Sequence, residues 1–356
     1  MLSTSVVEPQ NISLPMISTI NLQAYTTAKN SVGWRKQPYD VVRAKGNDRF
    51  DLLQRLTTNN VVGLTGSHEG GTGVQNILLT DKARIIDVFT VLPRENDLLM
   101  LFSAGMGTKA MDWFEKYTFI DDFVTENCTS NYASYLVFGV KALQCLEEIS
   151  GCSLGELRTA SWIRTKLSGI EECFLVKQPP LCEFCYSVFV PSQFADTFEE
   201  FMCGLEGIAE IDDVTFETLR IEAAWGKLGA EWTDAHNPLE AGLVGLVDFK
   251  KGCYIGQEVI ARLDTYNKVK VRLMGFTANA PIPAEGHFID ESDGKRTDIG
   301  SVSSSTYSPE LQQYIALGYI RSQFANPGAS VLLVWTNAAG EEIRQMPEIV
   351  KLPFVM

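Results

Sequence analysis

The sequence predicts an α+β protein, and three observations carry that class. Candidate strands and helices follow one another without regular β–α–β alternation. At 356 residues the chain exceeds one ordinary core, so two or three domains are expected. From about residue 270 onward, Gly286, Gly294, Gly300, Pro309, Pro327 and Gly328 punctuate short strand-like runs, which read as a small antiparallel barrel or sandwich.

Residues 1–24 read as a loosely ordered lead-in. The start lacks the basic residues and compact apolar core of a secretory signal and is short of arginine for a mitochondrial presequence, so a cytoplasmic location is expected. From Tyr25 to Arg43 polar and aromatic residues mix without clean periodicity. Asn47 is a candidate N-cap for a helix carrying Phe50, Leu53 and Leu56 at three-residue steps. That helix runs out in Thr57-Thr58-Asn59-Asn60, whose side chains compete for backbone hydrogen bonds. Strand-like runs follow at 74–79, 84–92 and 98–102, with Glu95-Asn96-Asp97 as a turn, and then a helix at 106–117.

A second pass of the same type begins with a strand at 132–140 and a helix at 141–150. Strands are expected at 161–166, 174–177 and 186–190, and an amphipathic helix at 194–205. Asp212-Asp213 can start another helix with Phe216, Leu219 and Ala223 on one face; it presents Arg220 and Glu222 and breaks at Gly226 and Gly229. Residues 25–268 thus group as two interleaved α+β subdomains, and 269–356 as the C-terminal β domain.

Hydrophobic content of 45% with 21% charged residues describes a globular chain, and no apolar stretch is long enough to span a bilayer. The net charge of −14 argues against a broad nucleic-acid surface. Between Lys250 and Arg272, however, six cations stand against two acids, a local excess of 6 − 2 = +4. Such a patch can meet an anionic ligand, or it can guard an edge strand against aggregation. The eight cysteines do not look like a disulfide framework. Cys182-Glu183-Phe184-Cys185 has metal or redox spacing, but His68, His236 and His287 are far apart in sequence. Packing is therefore the preferred reading of that pair, and no metal site is expected.

The most informative stretch is Lys251-Gly252-Cys253-Tyr254-Ile255-Gly256-Gln257-Glu258. The residues after it, 259–263, carry apolar positions at helical spacing. Gly256 tolerates a tight entry, Glu258 suits the first turn, and Glu258 and Arg262 stand four apart, where they can pair. Cys253 therefore precedes a helix N-terminus beside Lys250 and Lys251, and both features favour a thiolate. The plain alternative is a small buried packing residue.

These residues give the chain a family likeness. Residues 53–61 (L-Q-R-L-T-T-N-N-V), Thr218-Leu219-Arg220-Ile221-Glu222-Ala223, Pro238-Leu239-Glu240-Ala241-Gly242-Leu243 and the K-G-C-Y-I-G-Q-E string resemble the glycine-cleavage T-protein (aminomethyltransferase) family, and within it the YgfZ-type branch. Gly300-Ser301-Val302, Ile315-Ala316-Leu317-Gly318-Tyr319 and Asn326-Pro327-Gly328 continue the likeness, which covers residue 25 to the end. The resemblance implies a three-part, cloverleaf-like architecture around a channel for tetrahydrofolate, with a C-terminal antiparallel barrel. It assigns the folate-orienting aspartate to Asp87 and the pterin-contacting glutamate to Glu222. The second acid of the T-protein motif is Val88 here, its glycine pair is Ala83-Arg84, and a family tyrosine is Leu228.

A pterin edge offers N–H donors that a carboxylate accepts in pairs, which suits Glu222. Asp87, in an otherwise apolar strand, points either outward or inward with a partner, and the resemblance favours inward. Arg220, Lys251, Arg262 and Tyr254 are candidate folate contacts, with Lys250, Lys251 and Arg262 near the anionic tail, and Cys253 is the candidate working thiol. The implied function is tetrahydrofolate binding in support of iron–sulfur cluster assembly or repair, with iron–sulfur client or assembly proteins as partners. A folate-dependent aminomethyl or methyl transferase and a folate-free scaffold are the alternatives.

Overall fold

The computed structural model describes residues 19–355. The first helix, α1 (Leu22–Asn30), starts where the Asn21 side chain accepts the Ala24 N–H. It begins inside the stretch read as a loose lead-in; residues 1–18 of that stretch lie outside the described residues. The aperiodic segment after Tyr25 contains two strands, Val32–Lys36 and Tyr39–Lys45, which enter different sheets. Each is short and packs against neighbours from elsewhere in the chain, so neither shows a repeating pattern of its own.

One seven-stranded sheet runs in the order Ile208–Glu210, Val32–Lys36, Tyr132–Phe138, Cys185–Pro191, Ile170–Lys177, Trp162–Leu167, Gly70–Gly71. Only its first pair is parallel. A five-stranded sheet runs Val74–Leu79, Ile85–Pro93, Leu98–Ser103, Tyr39–Lys45, Val124–Asn127, antiparallel throughout. Helices α2 (Arg49–Leu56) and α3 (Gly107–Tyr117) cover one face of the smaller sheet through Leu52, Leu53, Leu56, Ala110 and Phe114. Its other face meets the first sheet through Leu92, Leu99, Leu101, Trp162, Phe174 and Phe189. Helices α4 (Ala142–Ser150) and α5 (Ala195–Gly204) close the far side of the first sheet.

The third sheet is the C-terminal antiparallel domain, in the order Glu342–Gln345, Leu332–Thr336, His287–Asp290, Thr297–Ser308, Gln313–Arg321, Val271–Ala278, Glu348–Val350. Helix α6 (Asp213–Glu222) docks onto it, with Ile221 against Ile315 and Leu317. Helix α7 (Gln257–Thr265) lies between this domain and the five-stranded sheet.

Local signals placed most elements within one or two residues, as periodicity does when one face is buried. The start of α2 differs: Asp48, not Asn47, occupies the N-cap position and makes no side-chain cap bond. Its carboxylate instead accepts the Asp122 N–H, while Asp122 accepts the Asn47 N–H. A contact from 75 residues away thus overrides the local cap. Among the described residues no helix is long and apolar enough to cross a membrane.

Candidate functional site

The last carbonyls of an α-helix have no intrahelical donor, and residues 248–255 supply donors to the end of α2 and to the residues just past it. The Ile255 N–H donates to the Arg55 carbonyl at 2.9 Å and the Asp248 N–H to the Thr58 carbonyl at 3.0 Å. The Lys251 ammonium donates to the carbonyls of Thr57 and Asn59, each at 2.7 Å, where the helix dipole favours a cation. Lys251 is buried, 5.3 Å from the centre of the Tyr254 ring, and burial pulls its pKa down to about 8. Tyr254 is also buried, which pushes its hydroxyl up to about 12. Gly256 adopts φ +80°, and a Cβ there would sit 3.0 Å from the Ala83 Cα. Only glycine fits where the stretch passes the 80–83 turn.

Between these anchors Cys253 is exposed, so it is not a packing residue. The expectation of two cations beside the thiol is corrected for Lys251, whose charge is drawn inward to the Thr57 and Asn59 carbonyls just past α2; Lys250 remains exposed. Helix α7 begins four residues after Cys253, with Gly256 at its N-cap position. Arg262 is exposed on α7, and the expected pairing with Glu258 does not form.

Asp87 points inward and has a partner. It accepts the Ser103 N–H at 2.8 Å, the Ser103 hydroxyl at 2.7 Å and the Val88 N–H at 2.9 Å. Burial pushes its pKa up to about 6, although these donors pull the other way. Its cross-strand neighbour Leu78 and the next residue on its face, Phe89, belong to the core beneath α2 and α3. Val88 turns to the opposite face, where Ile85, Leu239, Tyr254 and Tyr319 meet at the centre of the molecule. The side chain that looks onto that centre is therefore the substituted Val88. Asp87 instead secures the turn into α3, beside Asp40, which accepts the Gly107 N–H at 2.6 Å.

Glu222, at the end of α6, is 2% exposed and is no solvated surface carboxylate. The Tyr25 hydroxyl donates to both of its oxygens at 2.9 Å, and the Ser308 hydroxyl donates to one at 2.5 Å. Its backbone carbonyl receives the N–H groups of Phe354 and Val355. Burial raises the carboxyl pKa, with the Ser308 and Tyr25 hydroxyls opposing. The carboxylate thus ties α1 to the C-terminal sheet, and the same residue's carbonyl holds Phe354 and Val355.

Arg220 is corrected as a ligand contact, because protein groups take all five of its N–H donors. Its Nε and Nη2 reach Glu217, Nη2 also reaches Ser304, and Nη1 reaches the Trp225 carbonyl and Glu231. Glu231, fully buried, also accepts the Ser303 hydroxyl at 2.7 Å and the Lys227 N–H at 3.1 Å.

The structure joins Lys251, Tyr254 and Cys253 in one loop. It places Asp87 on the helix-covered side of the smaller sheet, and Glu222 with Arg220 at the junction of α6 and the C-terminal sheet. Sequence reasoning missed the ring of His236, which lies flat on Tyr319 with centroids 3.5 Å apart, its Nδ1 buried and unpartnered. Burial lowers its pKa to about 4. It missed the roles of Tyr25, Ser308 and Glu231 as well; Tyr25 sits in an aperiodic segment, Ser308 lies in the family-like Ser308-Pro309 without a role of its own, and Glu231 carries no motif. Two cavities of about 420 and 430 Å³ lie elsewhere, beside Glu171 and Gln193 and beside Glu69 and Trp162, and neither holds an expected site residue.

Residues 29–251 match the GCVT N-terminal domain, and residues 272–355 match the glycine cleavage T-protein C-terminal barrel domain. An aminomethyltransferase from Halothermothrix orenii is 26% identical over 364 residues, covering 99% of this chain and 97% of that protein. A putative chloroplastic transferase of Arabidopsis thaliana, At1g60990, is 29% identical over 294 residues, covering 82% of this chain and 65% of the plant protein. The crystal structure of glycine cleavage system aminomethyltransferase T from Bartonella henselae superimposes with a TM-score of 0.80 at 19% identity, over 94% of this chain and 89% of that one, which shows a shared fold.

Proposed function

The chain belongs to the glycine-cleavage T-protein family, with family segments over residues 29–251 and 272–355, and from that premise we propose a tetrahydrofolate-binding protein of the YgfZ type that supports iron–sulfur cluster assembly or repair in client proteins. The observation that carries this reading is the presentation of Cys253. Lys251 and Tyr254 bury themselves on either side of it and Gly256 fixes the turn beyond, so a loop pinned at both ends holds one exposed thiol. A structural cysteine needs no such display.

Glu222 is the carboxylate we assign to a pterin edge, and at 2% exposed it needs the Tyr25 hydroxyl to move aside before it can receive one. A carboxylate offers about four lone-pair sites, and Tyr25 and Ser308 use three here. One site is open, and the Tyr25 hydroxyl, shared evenly between both oxygens, can release another. When bound, the pterin supplies one-carbon chemistry; Glu222 accepts its N–H edge, and the exposed cations Lys250 and Arg262 suit its anionic tail. The eight cysteines, all free thiols, suit a reducing compartment such as the cytoplasm.

Calorimetric titration with tetrahydrofolate tests the site. Binding by the wild type, loss in Glu222→Ala and retention in Cys253→Ala are expected; a wild type that gives no heat would leave only an interaction scaffold. In parallel, the wild type should restore activity to an oxygen-damaged [4Fe–4S] dehydratase and Cys253→Ala should not. Equal repair by both would end the thiol role. The second reading, a folate-dependent aminomethyl or methyl transferase, draws on the names of the relatives, while Asp87, though retained, faces Ser103 and not the centre of the molecule. Turnover of an aminomethyl-lipoyl protein by the wild type would establish it.

A further inference from the structure

The segment that joins α7 to the C-terminal sheet is a two-sided ribbon. Leu263, Val269, Val271 and Leu273 pack into the central core. Lys268, Lys270 and Arg272 alternate with the last three of these and stand on the solvent side, all exposed. At about 3.3 Å per residue, successive cations leave the ribbon about 7 Å apart. Arg262 is also exposed, near the end of α7. Among the described residues none of these four cations forms an ion pair, whereas Lys29, Arg35, Arg43, Arg55 and Arg164 all do. The only recorded side-chain partner of Arg272 is the Asn267 amide oxygen, at 3.5 Å. Tyr266, 64% exposed, carries the Lys268 ammonium 5.3 Å from its ring centre. The acids nearby are Asp264 and Glu258, both exposed on α7.

We infer that this face docks an acidic segment of a partner protein. Side chains on one side of an extended peptide recur at the same spacing of about 7 Å, so alternate carboxylates match the cations one to one. The chain as a whole carries −14, which repels a nucleic acid or an anionic membrane whose charge extends past the ribbon, but not a short acidic segment confined to it. Tyr266 supplies the aromatic contact common at protein interfaces. Helix α7, nine residues and about 14 Å long, connects the Cys253 loop to the ribbon. The inference is independent of folate binding.

The strand Val271–Ala278 borders Glu348–Val350 only from Gly275 to Thr277, and before that the Glu240 carbonyl takes the Leu273 N–H, so the lysines also guard a partly covered edge against a second copy. Shielding alone predicts no peptide binding, which the experiment separates. Fluorescein-labelled octaglutamate is titrated by anisotropy at low and high salt, with K268E/K270E/R272E as the variant and K82E/K109E, exposed cations elsewhere, as the control. Expected are salt-sensitive binding, a loss of at least about tenfold in the triple variant, no change in the control, and weaker binding of single-stranded DNA and phosphatidylserine vesicles. Should the triple variant misfold by circular dichroism, K268A/K270A takes its place. No peptide binding, equal binding by wild type and variant, or tighter ribbon-dependent binding of DNA or vesicles would overturn the inference.

Discussion

Replacing Asp87 by asparagine should change how stability depends on pH, by an amount the structure sets. The folded carboxyl is pushed from its ordinary 3.8 up to about 6, chiefly by burial. Its pKa is higher folded than unfolded, so the folded protein holds the proton more tightly. At acid pH both states are protonated and nothing is lost. As pH rises from about 4 to 6 the unfolded chain ionises first, and stability falls. The shift of about 2.2 pH units corresponds to about 3 kcal/mol at neutral pH. Asparagine cannot ionise, so the stability of Asp87→Asn minus that of wild type should climb by about 3 kcal/mol between pH 3 and 7. The fixed cost of facing the Ser103 donors with an amide shifts that curve without tilting it. Urea unfolding followed by tryptophan fluorescence, at half-unit pH steps on both proteins, measures the tilt. A difference flat to about 0.5 kcal/mol across that range would refute the buried, titrating carboxylate. Because Asp87 faces Ser103 and the helices, the same variant should bind tetrahydrofolate as the wild type does.

Arg220→Ala leaves the buried Glu231 without its cation and should cost about 3–5 kcal/mol in urea unfolding, with little rescue by lysine. Gly256→Ala forces a side chain into φ +80° against Ala83 and should cost about 1–3 kcal/mol, seen as a lower Tm. For Lys251 the folded pKa lies below the unfolded one, so between pH 8 and 10.5 the wild type should gain about 3 kcal/mol over Lys251→Met. Timed iodoacetamide labelling read by mass spectrometry should modify Cys253 and Cys203 in the native protein. Cys173, buried and pushed up to about 12, and Cys185 should label only after unfolding.

Local pattern alone determined the α+β class, the β-rich C-terminal domain and most element positions. The helix near 107–117 announces itself because it buries one face, which fixes a period, while the strand at 74–79 reads as a short apolar run buried on both faces. The string around Cys253 was legible for the same kind of reason: its glycine, its acid and the apolar spacing after it are all local. Only the tertiary structure decided where the polar groups point. Asp87 and Val88 are neighbours on one strand, and which of them faces the centre depends on the bulged pairing with Val74–Leu79. Tyr25 reaches Glu222 across 197 residues and Lys251 reaches Thr57 across 194. No period in the sequence records such a meeting, because a hydrogen bond at that separation is set by how whole sheets and helices pack, and a buried donor takes whichever acceptor the packing brings to it.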